Sequence, residues 1–423
     1  MDDNPPASLE QTDKLSDLLD NQRNEKLKVK LQLDDEDASD ETTLSKLLSL
    51  RPQTSNVSPP YRNGTQGPPV GYRCVGFGQC GIVFERPGQS QVLKVARLNN
   101  TEALWTDFLA HFHIHDAFAH EKPECRVPRI FSFVSKNNST WWESNISLFP
   151  EDYRTFPCPS SVLITERILP LPKIARHALV HQFCPPDFQD AVIADRANRD
   201  CLARLYLGRR RDVDAPTHMH FSLRNFSLHL DQMLALSLPV EEYAAAVGEA
   251  LAVIHWAASV DGFDVEFVLG GERDACFAQD DVSAGLGLTV DKVLRMERHT
   301  DLEAMLAAGP QRRTARVWVL DFNLCSRWTD EIALGREEEL QQQLVHSFFE
   351  NDPYYPLPLM ESDVEQRLWT VFQTTYLDKS REILARKDER LRELPQKFLN
   401  ACISREQMKL SEGFGHGYRE HTG

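Results

Sequence analysis

Hydrophobic and polar positions divide the chain into three regions, and the first of these is mostly polar. Residues 1–70 are rich in Asp, Glu, Ser, Asn, Gln and Pro, and their apolar side chains lie mainly in segments 15–19 and 44–50. So little apolar surface cannot offset the entropy cost of folding, and the pattern predicts a disordered acidic and polar arm. The leucines of 44–50 predict either a transient helix that binds a partner or a chance amphipathic turn.

The second region, residues 71–168, has the short apolar runs that are typical of β-strands. Two predicted strands flank a Pro-Gly turn, and a helix is predicted at 101–120. Further strands are predicted near 129–134 and 162–168. This order of elements predicts a small β-rich unit that contains one helix.

The third region, residues 169–410, is mainly helical. Its longest predicted helix covers 240–258, where Ala, Val and Leu recur at helical spacing. The pattern also predicts a short buried strand at 317–320, an insertion at 271–313 with a helix near 290–308, later helices near 337–349 and 364–388, and a loose tail at 411–423. Together the three regions predict an α+β protein.

Composition narrows the class of protein. The chain has 423 residues, of which 41% are hydrophobic and 26% are charged, as in globular proteins in general. The formal charge of −16 argues against broad binding to nucleic acid. Neither a secretory signal nor an apolar run near the roughly 20 residues of a membrane helix occurs, so we expect an intracellular protein, cytoplasmic or nuclear, with no membrane partner.

A glycine-rich turn and a lysine carry the first chemical signal. Gly76, Gly78 and Gly81 lie between two predicted strands, and Lys94 follows thirteen positions after Gly81 in an apolar run. Glycines let backbone N–H groups approach phosphate oxygens without a Cβ in the way, and the lysine adds a positive charge. A strand follows the turn, whereas the dinucleotide-binding motif requires a helix there. The pattern predicts a nucleotide-phosphate site, with a simple tight turn as the alternative.

Two later segments continue the pattern. The end of the 240–258 helix is followed by Asp261 and, five positions later, by Glu266 before an apolar strand. The strand at 317–320 ends directly in Asp321. The glycine turn, the lysine and these two segments, in this order over residues 72–330, resemble the motifs of the protein-kinase superfamily and its small-molecule relatives.

This resemblance implies a two-lobed fold, with a small β-rich N-lobe at 71–168 and a mainly helical C-lobe at 169–410, that binds ATP and magnesium between the lobes. A carboxylate of the 101–120 helix, Glu102 or Asp107, would pair with the lysine. The implied roles are phosphate cover for Gly76, Gly78 and Gly81, phosphate contact for Lys94, magnesium binding for Asp321 and Glu266, proton acceptance for Asp261, and adenine binding at the strand that ends near Glu166.

Departures from the kinase motifs leave two functions open. Ser259 and Val260 replace the usual His-Arg pair, Glu266 replaces a metal-binding Asn, and Asn323 replaces a glycine. An Ala-Pro-Glu segment of the kind that anchors a peptide-substrate loop does not follow. The chain is therefore either a kinase of a small molecule or protein, or an inactive pseudokinase-like scaffold whose arm, insertion or C-lobe helices bind a protein partner.

A second resemblance concerns segments 228–236, 248–258 and 261–270, which are similar to a fungal family of unknown function that is often labelled zinc-finger protein. Zinc fingers need paired Cys and His ligands at short spacing, and the nine cysteines of this chain include no such pair. A zinc-dependent nucleic-acid-binding protein is therefore a minor alternative.

Overall fold

The computed structural model describes seven stretches of the chain, namely residues 9–31, 39–50, 70–154, 158–211, 221–271, 315–351 and 353–413. Within them the fold is mixed α+β, with one five-stranded sheet, one four-stranded sheet and a large helical body. The predicted insertion, including its helix near 290–308, lies almost entirely outside the described residues. So does most of the predicted tail. None of the described helices is both long enough and apolar enough to cross a membrane.

Two helices lie in the segment for which composition predicts a disordered arm. Helix α1 covers Leu9–Leu31 and helix α2 covers Asp40–Leu48. Leu44, Leu47 and Leu48 of α2 are fully buried in the main core of the protein. The arm is poor in apolar residues, but the leucines of α2 find their partners in the helical body rather than within the arm itself.

Helix α1 is held against the helical body mainly by charge. Its aspartates at 13, 17 and 20 form ion pairs with Arg196, Arg199 and Arg176 respectively. Asn24 accepts a hydrogen bond from the backbone N–H of Ile174 at 2.8 Å. The helix that begins at Lys173 has no capping side chain of its own, so α1 provides this cap.

The five-stranded sheet is antiparallel, with the order β1-β2-β3-β5-β4. Its strands are β1 (Arg73–Phe77), β2 (Gly81–Glu85), β3 (Gln91–Ala96), β4 (Ile130–Val134) and β5 (Val162–Glu166). Helix α3 (Thr101–Glu121) connects β3 to β4, and the short helices α4 (Ser139–Asn145) and α5 (Glu151–Arg154) precede β5. Aliphatic and aromatic residues such as Phe84, Val95 and Val162 form a separate small core on this sheet.

The helical body follows the sheet. Its helices are α6 (Lys173–Phe183), α7 (Gln189–Ala194), α8 (Leu230–Ala235), α9 (Val240–Ala252), α10 (Asp330–Gly335), α11 (Glu337–Glu350), α12 (Asp363–Leu384) and α13 (Glu389–Ser411). Helices α9 and α12 pack closely at Gly248, where a Cβ atom would lie 2.6 Å from the carbonyl oxygen of Phe372. A short π-helix at Val253–Ala257 continues α9 toward the loop that carries Asp261.

The strands of the four-stranded sheet alternate along the chain with the helices of this body. They are β6 (Ala203–Tyr206), β7 (Ser227–His229), β8 (Glu266–Gly270) and β9 (Arg316–Leu320), in the order β7-β6-β8-β9. Strands β8 and β9 are antiparallel, and Glu266 at the start of β8 pairs with Leu320 at the end of β9. The register therefore brings Glu266 beside Asp321, the first residue after β9.

Candidate functional site

A cavity of about 430 Å³ lies between the five-stranded sheet and the end of the four-stranded sheet. Residues of the glycine turn, of β3, of β5, of β8 and of the end of β9 form its walls. Its lining combines aliphatic side chains, among them Val83, Leu163 and Val268, with several charged ones. The cavity can therefore accept a ligand that has both an apolar and a charged part.

The glycines of the turn differ in their steric surroundings. A Cβ atom built on Gly76 or Gly78 would meet its nearest neighbour at 3.5 Å or 3.6 Å, which is ordinary van der Waals contact. A Cβ atom on Gly81 would lie 2.9 Å from Cγ of Lys94 and 3.0 Å from the carbonyl oxygen of Val95. The packing of the protein thus requires glycine at 81 but leaves room for a methyl group at 76 and 78.

Lys94 is the centre of the charged part of the cavity. Its Nζ atom donates hydrogen bonds to Oδ2 of Asp107 at 2.7 Å and to Oδ1 of Asp321 at 2.8 Å. Burial alone lowers the pKa of Lys94, but the two carboxylates outweigh it and raise this pKa well above its usual value. Lys94 is therefore a permanent cation that links α3 to the segment after β9.

Asp107 is the partner that α3 supplies, whereas Glu102 is exposed. Besides Lys94, Asp107 accepts a hydrogen bond from the backbone N–H of Phe322 at 3.2 Å through its Oδ1 atom. Both of its oxygens are thus bonded to the site, and the short aspartate side chain keeps α3 close to the strand end. Sequence spacing alone left Glu102 and Asp107 as alternatives.

Asp321 has a left-handed backbone, with φ of 66°, at the point where β9 ends. Few residues other than glycine, Asn and Asp adopt this conformation readily. The next residue, Phe322, is buried, and its ring lies 4.9 Å from that of His111 on α3. Burial of Phe322 fixes the turn and directs the Asp321 carboxylate toward Lys94.

Glu266 lies beside Asp321 and forms an ion pair with Arg204 of β6. Burial raises the pKa of Glu266 to about 7, since the charge of Asp321 adds to the effect of burial and Arg204 opposes it only in part. The cavity lining brings together six carboxylates and three cations, which leaves a formal charge of −3 when all are ionised; they are Asp107, Glu166, Asp200, Asp264, Glu266 and Asp321, and Lys94, Arg167 and Arg204.

This excess of negative charge favours the binding of a cation. The part of the chain that the structure describes holds no cluster of three or more His, Cys, Asp or Glu side chains arranged to bind a metal ion. Magnesium commonly takes one or two protein carboxylates and completes its coordination with phosphate oxygens and water. Glu266 and Asp321 therefore fit a magnesium ion that is bound together with a phosphate ligand.

Asp261 lies outside the cavity wall. Its side chain is only 4% exposed and points into the helical body. Its Oδ1 accepts hydrogen bonds from the backbone N–H groups of Phe263 at 3.1 Å and Ser326 at 2.9 Å, and its Oδ2 accepts one from Gln343 at 2.8 Å. Burial raises the pKa of Asp261, and these hydrogen bonds counteract the rise. Asp261 therefore does not line the cavity with Lys94, Glu266 and Asp321.

Glu166 is the last residue of β5 and lines the cavity. Its carboxylate accepts a hydrogen bond from the guanidinium of Arg129 at 3.2 Å. Its backbone N–H donates to the carbonyl oxygen of Arg129 at 2.8 Å. The side chain of Glu166 is therefore turned to the neighbouring chain segment, although the residue itself borders the cavity.

Sequence patterns missed several residues of the site. Arg204 and Asp264 line the cavity, and the guanidinium of Arg224 lies 4.8 Å from the ring centroid of Phe77, a lining residue at the end of β1. Arg204 and Arg224 lie in a polar region without a recognisable motif, and nothing in the sequence marks them. Asp264 had a signal, because it lies two residues before Glu266 in the loop that the sequence analysis singled out.

Comparison with known proteins gives one match. Residues 317–388, from β9 to just past α12, match a domain family of unknown function that is described as zinc finger protein. The chain is similar to that family over this segment, in agreement with the label noted above for the second resemblance. Searches of curated proteins and of solved structures gave no match.

The matched segment contains a single cysteine, Cys325, and a single histidine, His346. Cys325 is buried, its thiol donates a hydrogen bond to the carbonyl oxygen of Phe263 at 3.4 Å, and burial raises its pKa well above its usual value. A structural zinc site takes four Cys or His ligands. The description of the family therefore does not correspond to a zinc finger within this segment.

Proposed function

We propose that the chain is a kinase-like protein that binds a nucleoside triphosphate with magnesium in the cavity around Lys94. The observation that carries the proposal is the double contact of Lys94 with Asp107 and Asp321. A strand lysine, a helix carboxylate and an aspartate at a strand end meet here beside a glycine turn. In kinases this combination holds the phosphates of ATP and their metal ion.

The same reasoning assigns the two lobes. The five-stranded sheet with α3 is the N-lobe, and the four-stranded sheet with the helical body is the C-lobe. In this proposal the aliphatic side chains of the cavity contact the base, and the end of β5 at Glu166 offers backbone groups to it. The turn at Gly76, Gly78 and Gly81 covers the phosphates.

Magnesium, held by Asp321 and Glu266, would neutralise phosphate charge when bound. The protein side of the site already holds the complementary groups. Lys94 is fixed by two carboxylates and needs no rearrangement to present its charge to a phosphate oxygen. Its buried position also makes this charge more effective than an exposed lysine would be.

The test is the thermal stability of the purified protein with millimolar ATP, measured with and without magnesium. A ligand at 100 times its Kd stabilises the folded state by about 2.7 kcal/mol, which is readily measured as a rise in Tm. We expect a magnesium-dependent rise that is lost in Lys94→Ala and Asp321→Asn. The exposed residues Lys136 and Asp152 provide matched controls, Lys136→Ala and Asp152→Asn, which should keep the rise. An unchanged Tm of the wild-type protein at millimolar ATP would contradict the proposal.

A catalytically inactive scaffold that binds a protein partner is the second candidate. Two observations favour it: Asp261 is buried under three hydrogen bonds, and Glu266 is paired with Arg204. In this case the protein would bind ATP without turning it over, and its C-lobe or its N-terminal arm would bind the partner. Measured phosphate release from ATP that depends on Lys94 would argue against this candidate.

A further inference from the structure

We propose that helix α1 is a detachable strap. While docked, it crosses the connecting segment that follows β5 (residues 167–172) and strengthens ligand binding in the cavity around Lys94. Charge holds the docked helix, so agents that compete for this charge release it. The effect on ATP binding rests on the proposed function, whereas the docking of α1 and its effect on the cavity wall do not.

The first observation is that α1 contacts the five-stranded sheet. The Oγ1 atom of Thr12 accepts a hydrogen bond from the backbone N–H of Gly71 at 3.2 Å, just before β1 begins. Leu19 lies beside the turn between β2 and β3, since a Cβ atom at Gly88 would lie 3.7 Å from its Cδ1 atom. Thr12 and Leu19 are seven positions apart and therefore lie on the same face of the helix.

The adjacent face of α1 contacts the helical body. Its aspartates at 13, 17 and 20 and its Asn24 recur at intervals of three or four residues, so they share one face. They bind the first turn of α6 and the arginines at 196 and 199. One helix thus joins the five-stranded sheet to the helical body across the connecting segment.

The second observation is that α1 contacts the cavity wall from outside. Arg23 donates a hydrogen bond to the carbonyl oxygen of Pro170 at 2.6 Å, and its guanidinium also lies against Gly271 after β8. Pro170 and Ile168 line the cavity, whereas Arg23 does not. The connecting segment therefore lies between α1 and the space that the ligand would occupy.

The third observation is a chain of ion pairs that leads from α1 to the glycine turn. Asp17 binds Arg199, and the next residue, Asp200, lines the cavity. Asp200 accepts two hydrogen bonds from Arg73 at the start of β1, both at 2.7 Å, and Arg73 also pairs with the fully buried Glu85 at the end of β2. Strands β1 and β2 carry the glycine turn at their other ends. A contiguous network therefore joins α1 to the cavity wall and to the strands of the turn.

The charged contacts make the docking reversible. Asp13, Asp17 and their partners Arg196 and Arg199 have side chains that are between 20% and 57% exposed. Salt screens such pairs, because the Debye length falls from about 10 Å at 0.1 M salt to about 3 Å at 1 M. The leucines of α2 lie in the main core and do not depend on charge. Salt should therefore release α1 while α2 keeps it tethered to the protein.

The experiment measures backbone hydrogen exchange of the full-length protein at about 0.1 M and about 1 M NaCl, where the Debye lengths differ about threefold. We expect faster exchange of α1 at high salt and unchanged exchange of α2. The combined variant Asp13→Asn, Asp17→Asn and Asp20→Asn should show fast exchange of α1 at both salt concentrations. Without any ligand, it should also show faster exchange of the connecting segment and of β1.

Binding of magnesium-ATP at low salt gives the second readout. The combined variant should bind ATP at least about 5-fold more weakly than the wild type, which is the lower end of typical coupling between two sites. Because coupling is reciprocal, magnesium-ATP should also slow the exchange of α1 in the wild-type protein. The matched control is the combined variant Glu143→Gln, Asp152→Asn and Glu361→Gln, which removes the same charge from exposed positions outside α1 and should change neither readout.

Three results would count against the strap. Protection of α1 that neither salt nor the aspartate substitutions reduce would exclude a helix held by charge. Lost protection of α1 with unchanged exchange of the connecting segment and unchanged ATP affinity would exclude its coupling to the cavity. If the wild-type protein shows no ATP-induced rise in Tm, the proposed function fails. The strap is then decided by the connecting segment, and unchanged exchange there in the unliganded aspartate variant would refute it.

Discussion

The glycine turn allows a prediction that separates the demands of the fold from those of a ligand. Gly76 and Gly78 have room for a methyl group, and neither has a left-handed backbone. Alanine at a compatible glycine position stabilises a protein by about 0.4–1 kcal/mol, because it reduces the conformational freedom of the unfolded chain. Gly76→Ala and Gly78→Ala should therefore leave the unliganded protein as stable as the wild type, or slightly more stable.

Gly81→Ala should behave differently. Its methyl group would lie 3.0 Å from the carbonyl oxygen of Val95, a main-chain atom of β3 that cannot move without disturbing the sheet. Overpacking of this kind costs about 1–3 kcal/mol. The variant should thus lose stability even without a ligand, and it should also displace the stem of Lys94, whose Cγ would be 2.9 Å away.

The assays are urea unfolding of the unliganded variants and the ATP-induced rise in Tm with magnesium. If phosphates approach the backbone of the turn, Gly76→Ala and Gly78→Ala should lose most of the ATP-induced rise in Tm while keeping their stability. The control is Gly335→Ala, since a Cβ atom at Gly335 would meet nothing within 4 Å. A full ATP-induced rise in both variants would reduce the turn to a simple hairpin, and an unchanged stability of Gly81→Ala would refute the steric argument.

Three further predictions follow. Burial lowers the pKa of His255 to about 3, whereas the pKa of a histidine in the unfolded chain is about 6.5. The free energy of unfolding should therefore be highest above pH 6.5 and fall toward pH 3 by up to about 1.4 kcal/mol per pH unit. Urea unfolding at pH 7.5 and 5.5 measures this slope, which His255→Phe should reduce. Arg176→Ala should cost about 2 kcal/mol in urea unfolding, because the buried guanidinium binds Asp20 of α1 at 2.6 Å, whereas the exposed control Arg386→Ala should cost almost nothing. Glu266→Gln should keep ATP binding and weaken its dependence on magnesium in a titration at fixed ATP, and an unchanged magnesium dependence would remove Glu266 from the metal site.

Local patterns were sufficient for much of the fold. The helix predicted at 101–120 is present as α3 over Thr101–Glu121, and the strand predicted after the Pro-Gly turn is present as β3. These elements are visible in the sequence because the spacing of apolar residues reflects which face of a helix or strand is buried. The contact between Lys94 and Asp321 joins residues 227 positions apart, and only the order of motifs pointed to it.

Features that depend on distant partners could not be predicted in this way. The aspartates of α1 are an ordinary solvated face when the sequence is considered alone, and their arginine partners lie more than 150 positions later. The leucines of α2 likewise become core residues only because the helical body offers a place for them. Composition measures what a segment can bury within itself, and it contains no information on what the segment can bury against another part of the chain.

The orientation of the 261–266 loop follows the same logic. Its two aspartates look equivalent in sequence, but they bind different residues from the region of α11. Gln343 donates a hydrogen bond to the Asp261 carboxylate in the interior, and Asn351 accepts one from the backbone N–H of Asp264 at the cavity. Both residues, and Asp321 as well, lie within the segment 317–388 that matches the family described as zinc finger protein. That segment supplies the carboxylate that meets Lys94 and the amides that shape the loop, whereas it has only two Cys or His residues to offer a zinc ion. Its physical role in this chain is therefore to build one wall of the cavity, and a zinc site would have to take most of its ligands from elsewhere.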